Sequence, residues 1–128
     1  SKVLRKSEKD QLTIVAAGVT LHEALKAYDE LLKSGITVRI IDLYSIAPID
    51  VATLKQAAKA TNNLVLTVED HYLHGGLGDA VLSALSTEGV RLHKMGIQEI
   101  AHSGKQEQLL DHYGINARAI IEKAKQLV

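Results

Sequence analysis

Short apolar runs and amphipathic segments alternate along this 128-residue chain. The runs at residues 12–17, 38–43 and 64–68 are mostly apolar and five or six residues long, which is typical of strands buried on both faces of a sheet. Apolar and polar side chains alternate over residues 90–95, so a fourth, less buried strand is predicted there. The chain thus carries enough strand signals for a small sheet.

The segment between the first two predicted strands has helical periodicity. Its apolar residues recur at the spacing of a helix that buries one face; they are Leu21, Ala24, Leu25, Tyr28, Leu31 and Leu32. Thr20 and Glu23 have the spacing of a capping box. Gly35 lies where a helix C-cap is expected. We therefore predict a strand followed by a helix in this part of the chain.

Later helices carry their own start signals. Asp50 and Asn116 are placed to cap two of them, and a third helix is expected to begin near Leu77. Residues 103–106 have capping-box spacing before another short helix. Strands that alternate with helices predict an α/β fold, a mostly parallel open sheet of about four or five strands with helices on both faces.

A domain boundary is predicted at residue 12. Residues 1–11 are charged and show no periodicity, so we predict a linker from a preceding domain. Residues 12–128 then form one domain, which is within the usual size for a single core. The first residue is Ser1 rather than Met, and we expect the sequence to be part of a longer polypeptide.

Composition excludes several classes of protein. The 15 basic side chains are balanced by 15 acidic ones, which does not favour nucleic-acid binding. No apolar stretch is long enough for a membrane helix. The chain has no Cys, which excludes disulfides and fits a reducing cytoplasm, where we place the protein. We therefore expect a soluble domain without nucleic-acid or membrane partners.

The segment after the third predicted strand is the richest in chemistry. Within residues 69–79, Glu69, Asp70 and two histidines lie beside a glycine-rich turn. Glycines would let backbone N–H groups and the following helix N-terminus face an anion. The candidate residues for an anion site or an interface are Glu69, His71, Gly75, Gly76 and Gly78.

A structural interpretation of this segment is favoured over a binding site. The glycines would permit a tight turn and close helix packing, while Glu69 and His71 would bond nearby backbone or a neighbouring domain. Val81 stands where a dinucleotide fingerprint needs its third glycine or alanine. The hypothesis of a metal bound by His71 and His74 is less favoured still, because a loop does not fix both rings toward one point.

Two other motifs are incomplete. His22 and Glu23 resemble the start of a zinc-protease helix, but Lys26 stands where the second His is needed. Ser103-Gly104-Lys105 resembles the end of a phosphate loop without the glycine that should stand at position 99. From the residues alone, no catalytic site, metal site or cofactor site is predicted within these 128 residues.

Several stretches together resemble the C-terminal domain of transketolases. The most specific is Leu66–Tyr72 followed by Gly75–Val81; the others are residues 13–20 with 23–24, 41–50, 103–105, 109–110 and 113–115. The resemblance implies a parent enzyme that moves a ketol unit between sugar phosphates, in the pentose phosphate pathway, with thiamine diphosphate and a divalent metal. In this family the cofactor lies between other domains, one of them on the dimer mate, so no catalytic residue carries over to this chain.

The resemblance also implies a role and leaves alternatives. The C-terminal domain of this family is expected to pack against the other domains and help hold the dimer. Deoxyxylulose-phosphate synthases and the beta subunits of 2-oxoacid dehydrogenases share the domain, although the Glu-Asp-His-Tyr run at residues 69–72 is closer to transketolase. Two other hypotheses remain. The chain could be a regulatory module that binds an anion or nucleotide through residues 69–78, or a natural small subunit of a split transketolase.

Overall fold

The computed structural model describes residues 2–44, 49–72, 76–97 and 115–128. These residues form five strands and four helices. In chain order they are β1 (Lys2–Arg5), β2 (Leu12–Ala16), α1 (Val19–Lys33), β3 (Val38–Asp42), α2 (Val51–Ala60), β4 (Leu64–Tyr72), α3 (Leu77–Ala84), β5 (Arg91–Ile97) and α4 (Ala117–Leu127).

The strands make one sheet in the order β1-β3-β2-β4-β5. Strands β3, β2, β4 and β5 run parallel to one another, and β1 runs antiparallel at the edge beside β3. The predicted fold class, a mostly parallel α/β sheet of four or five strands, is confirmed. The chain moves from β2 outward to β3 and then returns to the other side of β2 to form β4, so the sheet has its topological switch point between β2 and β4.

Alternate side chains of the central strands face opposite sides of the sheet and build two cores. Leu12, Ile14 and Leu66 pack with α1 and α4 on one face. Val15 and Val65 pack with α2 and α3 on the other. All five side chains are fully or almost fully buried, as expected for strands covered by helices on both sides. The prediction of helices on both faces is confirmed.

Three of the predicted helix caps are present. The side chain of Asp50 accepts from the Thr53 amide at 3.1 Å, and that of Asn116 accepts from the Ala119 amide at 3.0 Å. Gly35 follows α1 with φ +79°, and the next amide, of Ile36, donates to the Leu31 carbonyl at 2.9 Å. This is a Schellman ending, in which glycine adopts the left-handed conformation at low cost.

The predicted capping box at the start of α1 is wrong. Gly18 is the N-cap, with φ 62° and no side-chain cap, and the helix begins at Val19. Thr20 lies inside the first turn and is fully buried. Its hydroxyl is 2.8 Å from the carbonyl oxygens of both Ala17 and Val68. Tertiary contacts to β4 therefore use the hydroxyl that local spacing had assigned to the helix end.

The structure corrects the strand predictions at two places: one strand was not predicted, and another is longer than predicted. Residues 2–5, predicted as part of an aperiodic linker, form the edge strand β1. Strand β4 continues to Tyr72, beyond the predicted end at residue 68, and after a register shift Tyr72 pairs with Ile97 of β5. The linker boundary at residue 12 stays a prediction. The predicted helix after residue 103 and the candidates Gly75 and His74 lie outside the described residues.

None of the described helices is long and apolar enough to cross a membrane.

Candidate functional site

A cleft opens where β2, β3 and β4 end, at the switch point of the sheet. It has a volume of about 440 Å³, and its described lining is Ala17, Gly18, Leu43, Tyr44, Glu69, Asp70 and Leu77. Ligands of open α/β sheets bind at this position. The acidic end of β4 therefore lies where a functional site is most expected.

Glu69 is a deeply buried acidic residue, with 2% of the whole residue's surface exposed. Its carboxylate accepts from the Leu77 amide at 2.6 Å and from the Gly78 amide at 3.0 Å. These two amides belong to the first turn of α3, where backbone N–H groups have no partner within the helix. Glu69 therefore caps α3 from the preceding strand, and the positive end of the helix dipole stabilises its negative charge.

Gly78 allows α3 to approach the sheet closely. A Cβ atom at this position would lie 2.6 Å from Cδ of Lys94 and 2.9 Å from Oγ1 of Thr67, both closer than van der Waals contact permits. Lys94 in turn donates to Asp79 at 2.6 Å, which ties β5 to the first turn of α3. The glycine in this position therefore serves helix packing, as the structural interpretation of the segment predicted.

Thr67, on β4, has a buried side-chain hydroxyl close to Gly78 of α3. Its side chain is fully buried, and its hydroxyl has no hydrogen-bond partner within the described part of the chain. By contrast, the buried Thr13 on β2 is 3.1 Å from the Ala57 carbonyl and 2.7 Å from the Thr61 hydroxyl. Since a buried unpaired hydroxyl costs free energy, the Thr67 hydroxyl is expected to lower the stability of the fold.

The remaining predicted site residues are only partly brought together. Gly76 is the N-cap residue of α3 with an extended backbone. His71 lies in β4, but its side chain is outside the described set, as is Gly75. Across the described ranges, no group of three or more His, Cys, Asp or Glu side chains is arranged to hold a metal ion. Glu69, Gly76 and Gly78 thus meet at the start of one helix.

This geometry limits what an anion could do here. The Leu77 and Gly78 amides, which glycine-rich spacing suggested as anion donors, already bond the chain's own carboxylate. An added anion would have to displace Glu69 and leave its charge buried and unpaired, which is strongly unfavourable. The anion-module hypothesis stays a prediction, but it would require binding elsewhere in the cleft.

One structural contact was not anticipated from the sequence. Glu23, expected to cap its own helix, accepts instead from the Ala117 amide at the start of α4 at 3.2 Å and pairs with Lys26 at 2.9 Å. Residues 23 and 117 are 94 positions apart, so only the assembled fold brings them together. The signal in the sequence was a glutamate on the buried face of an amphipathic helix.

Comparisons with known proteins give a consistent picture. A family model for the transketolase C-terminal domain matches residues 1–120. The chain is 48% identical over 129 residues to transketolase-like protein 2 of Mus musculus, covering 100% of this chain and 21% of that protein. It is 43% identical to the transketolase of Mus musculus, with the same coverage. The chain therefore spans about a fifth of the length of these curated relatives.

Solved structures agree on the fold. A structure described as a split gene transketolase, inactive beta4 tetramer, superposes with a TM-score of 0.89 at 35% identity, covering 98% of this chain and 41% of that one. Transketolase from Campylobacter jejuni superposes with a TM-score of 0.69 at 18% identity over 97% of this chain and 18% of that one, which supports the fold alone. With the family model matching 120 of 128 residues, the chain belongs to the transketolase family, as a C-terminal domain of transketolase or transketolase-like proteins.

Proposed function

We propose that this domain is a scaffold and assembly element of a thiamine diphosphate-dependent transketolase, and that it is not itself catalytic. The parent enzyme transfers a ketol unit between sugar phosphates in the cytoplasm, within the pentose phosphate pathway. Thiamine diphosphate and a divalent metal are bound by other domains. The partners of this domain are those other domains and the dimer mate.

The observation that carries the proposal is the use made of Glu69. This carboxylate lies at the carboxyl edge of the sheet, where an acid or base would be expected, yet both oxygens bond the first turn of α3. A group whose hydrogen bonds hold a helix in place supports architecture. Protonating or displacing this carboxylate during a reaction would weaken these bonds and loosen α3 each time.

The described lining of the cleft does not fit the cofactor. A diphosphate is bound by cationic side chains or by backbone N–H groups. The described lining instead offers the carboxylates of Glu69 and Asp70 with apolar neighbours, and like charges would repel a diphosphate. No reaction step is therefore assigned to this cleft.

The comparisons supply a reason to expect assembly. Curated relatives are about five times as long as the matched stretch, which leaves room for cofactor-binding domains in such proteins. One similar structure is described as an inactive tetramer of beta chains from a split gene transketolase. By analogy, we propose that this chain contributes to association between subunits while the reacting groups lie on other segments.

The test is an assay of the 128-residue chain alone. Donor and acceptor sugar phosphates are supplied with thiamine diphosphate and Mg²⁺, and product formation is followed beside the parent enzyme as a positive control. The parent should turn over and the chain alone should not. Clear turnover by the folded chain alone would refute the scaffold role, and an inactive parent would refute the assigned reaction.

A further inference from the structure

The segment that leads into this domain is bonded to it through β1. Lys2 lies opposite Asp42 and Val3 opposite Ile41 in the antiparallel pairing of β1 with β3. Val3 is half-buried against the core formed with α2 and α3. The entering chain is therefore held by backbone hydrogen bonds and by one apolar anchor.

A β-bulge in β1 changes the face on which Arg5 lies. Regular antiparallel pairing after Val3 opposite Ile41 would place Leu4 opposite Ile40 and Arg5 opposite Arg39. The register shift instead places Arg5 opposite Ile40. A bulge that inserts one residue re-aims the following side chains. It separates two arginines that regular pairing would have put directly opposite each other, an arrangement that is destabilising.

The re-aimed Arg5 reaches the other face of the sheet. Its guanidinium carbon lies 5.5 Å from the ring centroid of Tyr28 on α1, within the range of a cation–π contact. Val3 and Arg5 thus contact opposite faces of the sheet. We call residues 2–5 the entry clip.

The turn after the entry clip is fixed as well. Asp10, whose side chain is 1% exposed, accepts from Arg39 at 3.1 Å and from the Ser7 amide at 2.7 Å. Arg39 also donates to the Ser7 carbonyl at 3.0 Å. Arg39 lies on β3, so both ends of the 2–10 segment are attached to that strand.

We propose that the entry clip is a positioning element that fixes the direction in which a preceding domain of the parent enzyme joins this domain. A charged, aperiodic segment would act as a flexible tether if it were unpaired. Paired along β3 and held on both faces, it transmits orientation. This inference rests on the proposed function only for the presence of a preceding domain.

The first experiment measures the clip itself by hydrogen exchange of the intact 128-residue chain. Residues 2–5 should be protected relative to an unstructured peptide. Tyr28→Leu, which removes the aromatic face but keeps apolar bulk, should speed their exchange about two- to five-fold, the range set by an exposed cation–π contact. The matched Tyr28→Phe keeps the ring and should leave exchange unchanged. Unprotected residues 2–5, or equal effects of the two variants, would overturn the clip.

The second experiment measures orientation in the parent enzyme. One spin label is placed at Glu122→Cys, an exposed position on α4, and one in the preceding domain. Replacing residues 2–5 by Gly-Ser-Gly-Ser should broaden the interdomain distance distribution. As a control, replacing the exposed Ser86 and Thr87 by glycine should leave the distance distribution unchanged. An unchanged distribution in the clip variant would refute the positioning role. The distance distribution does not depend on activity, so this experiment can refute the positioning role without testing the proposed ketol transfer.

Discussion

At the scale of single residues, local signals and tertiary demands can be separated. Asp50, Asn116 and Gly35 were predicted from sequence because their partners lie within three or four positions of the helix ends. Thr20 and Glu23 satisfied the same spacing rules but bond to β4 and α4 instead. Spacing specifies which local hydrogen bonds a residue can make. Burial decides whether the residue makes those bonds or bonds to another element of the fold.

Glu69 provides the first residue-level prediction. Glu69→Ala should lower the free energy of unfolding by about 2–4 kcal/mol, because two amides of α3 lose a charged acceptor. Glu69→Gln should cost less, about 1–2 kcal/mol, since its carbonyl oxygen can still accept one bond. Urea denaturation of the 128-residue chain measures both changes.

The control for Glu69 is Glu122→Gln, which changes the same chemical group at an exposed position on α4. It should alter stability by less than about 0.5 kcal/mol. A Glu69→Ala variant as stable as this control would show that the bonds to Leu77 and Gly78 do not hold α3 in place.

Thr67 and Thr13 form a matched pair for the second prediction. Thr67→Val should raise the free energy of unfolding by about 1 kcal/mol, because it removes a buried hydroxyl without a described partner. Thr13→Val should lower it by about 1 kcal/mol, because that hydroxyl is bonded. Thermal or urea unfolding gives the sign of each change, and equal signs would contradict this assignment of bonded and unbonded hydroxyls.

At the scale of elements, the sequence was sufficient where a strand or helix buries a continuous apolar surface. Strands β2, β3 and β5 and helices α1 to α4 follow periodicity that can be read locally. Strand β1 was missed because four residues with a charged residue at each end carry no period. The extension of β4 was missed because Glu69 and Asp70 are polar; beyond them, Tyr72 pairs with Ile97 of β5 after a register shift.

The attachment of α4 gives an element-level prediction. Asn116 and Glu23 bond different amides of its first turn, those of Ala119 and Ala117. Asn116→Ala and Glu23→Ala should each cost about 1 kcal/mol. Their effects should add within about 0.5 kcal/mol, because no donor is shared. A double-mutant cycle by urea denaturation measures the sum. A large coupling would mean that the two caps act as one unit.

At the scale of the whole molecule, the position of the cleft was predictable and its chemistry was less so. Alternation of strands and helices places a crevice at the carboxyl ends of the strands, and residues 69–78 were expected to lie there. The sequence left two interpretations of that segment open, because only the folded chain brings the Glu69 carboxylate to the Leu77 and Gly78 amides. The fold thereby turns the most suggestive acidic segment into a support for α3.

Steady-state kinetics of the complete parent enzyme carrying Glu69→Gln are the decisive test of a purely structural role for this carboxylate. We predict a lower melting temperature, with kcat per folded enzyme and KM within about twofold of the unmodified enzyme, because in the proposed scaffold role Glu69 holds a helix and takes no part in ketol transfer. Removing a group that transfers protons during catalysis typically costs about 100-fold or more in rate. A loss of that size in a variant that melts normally would show instead that Glu69 belongs to the catalytic machinery.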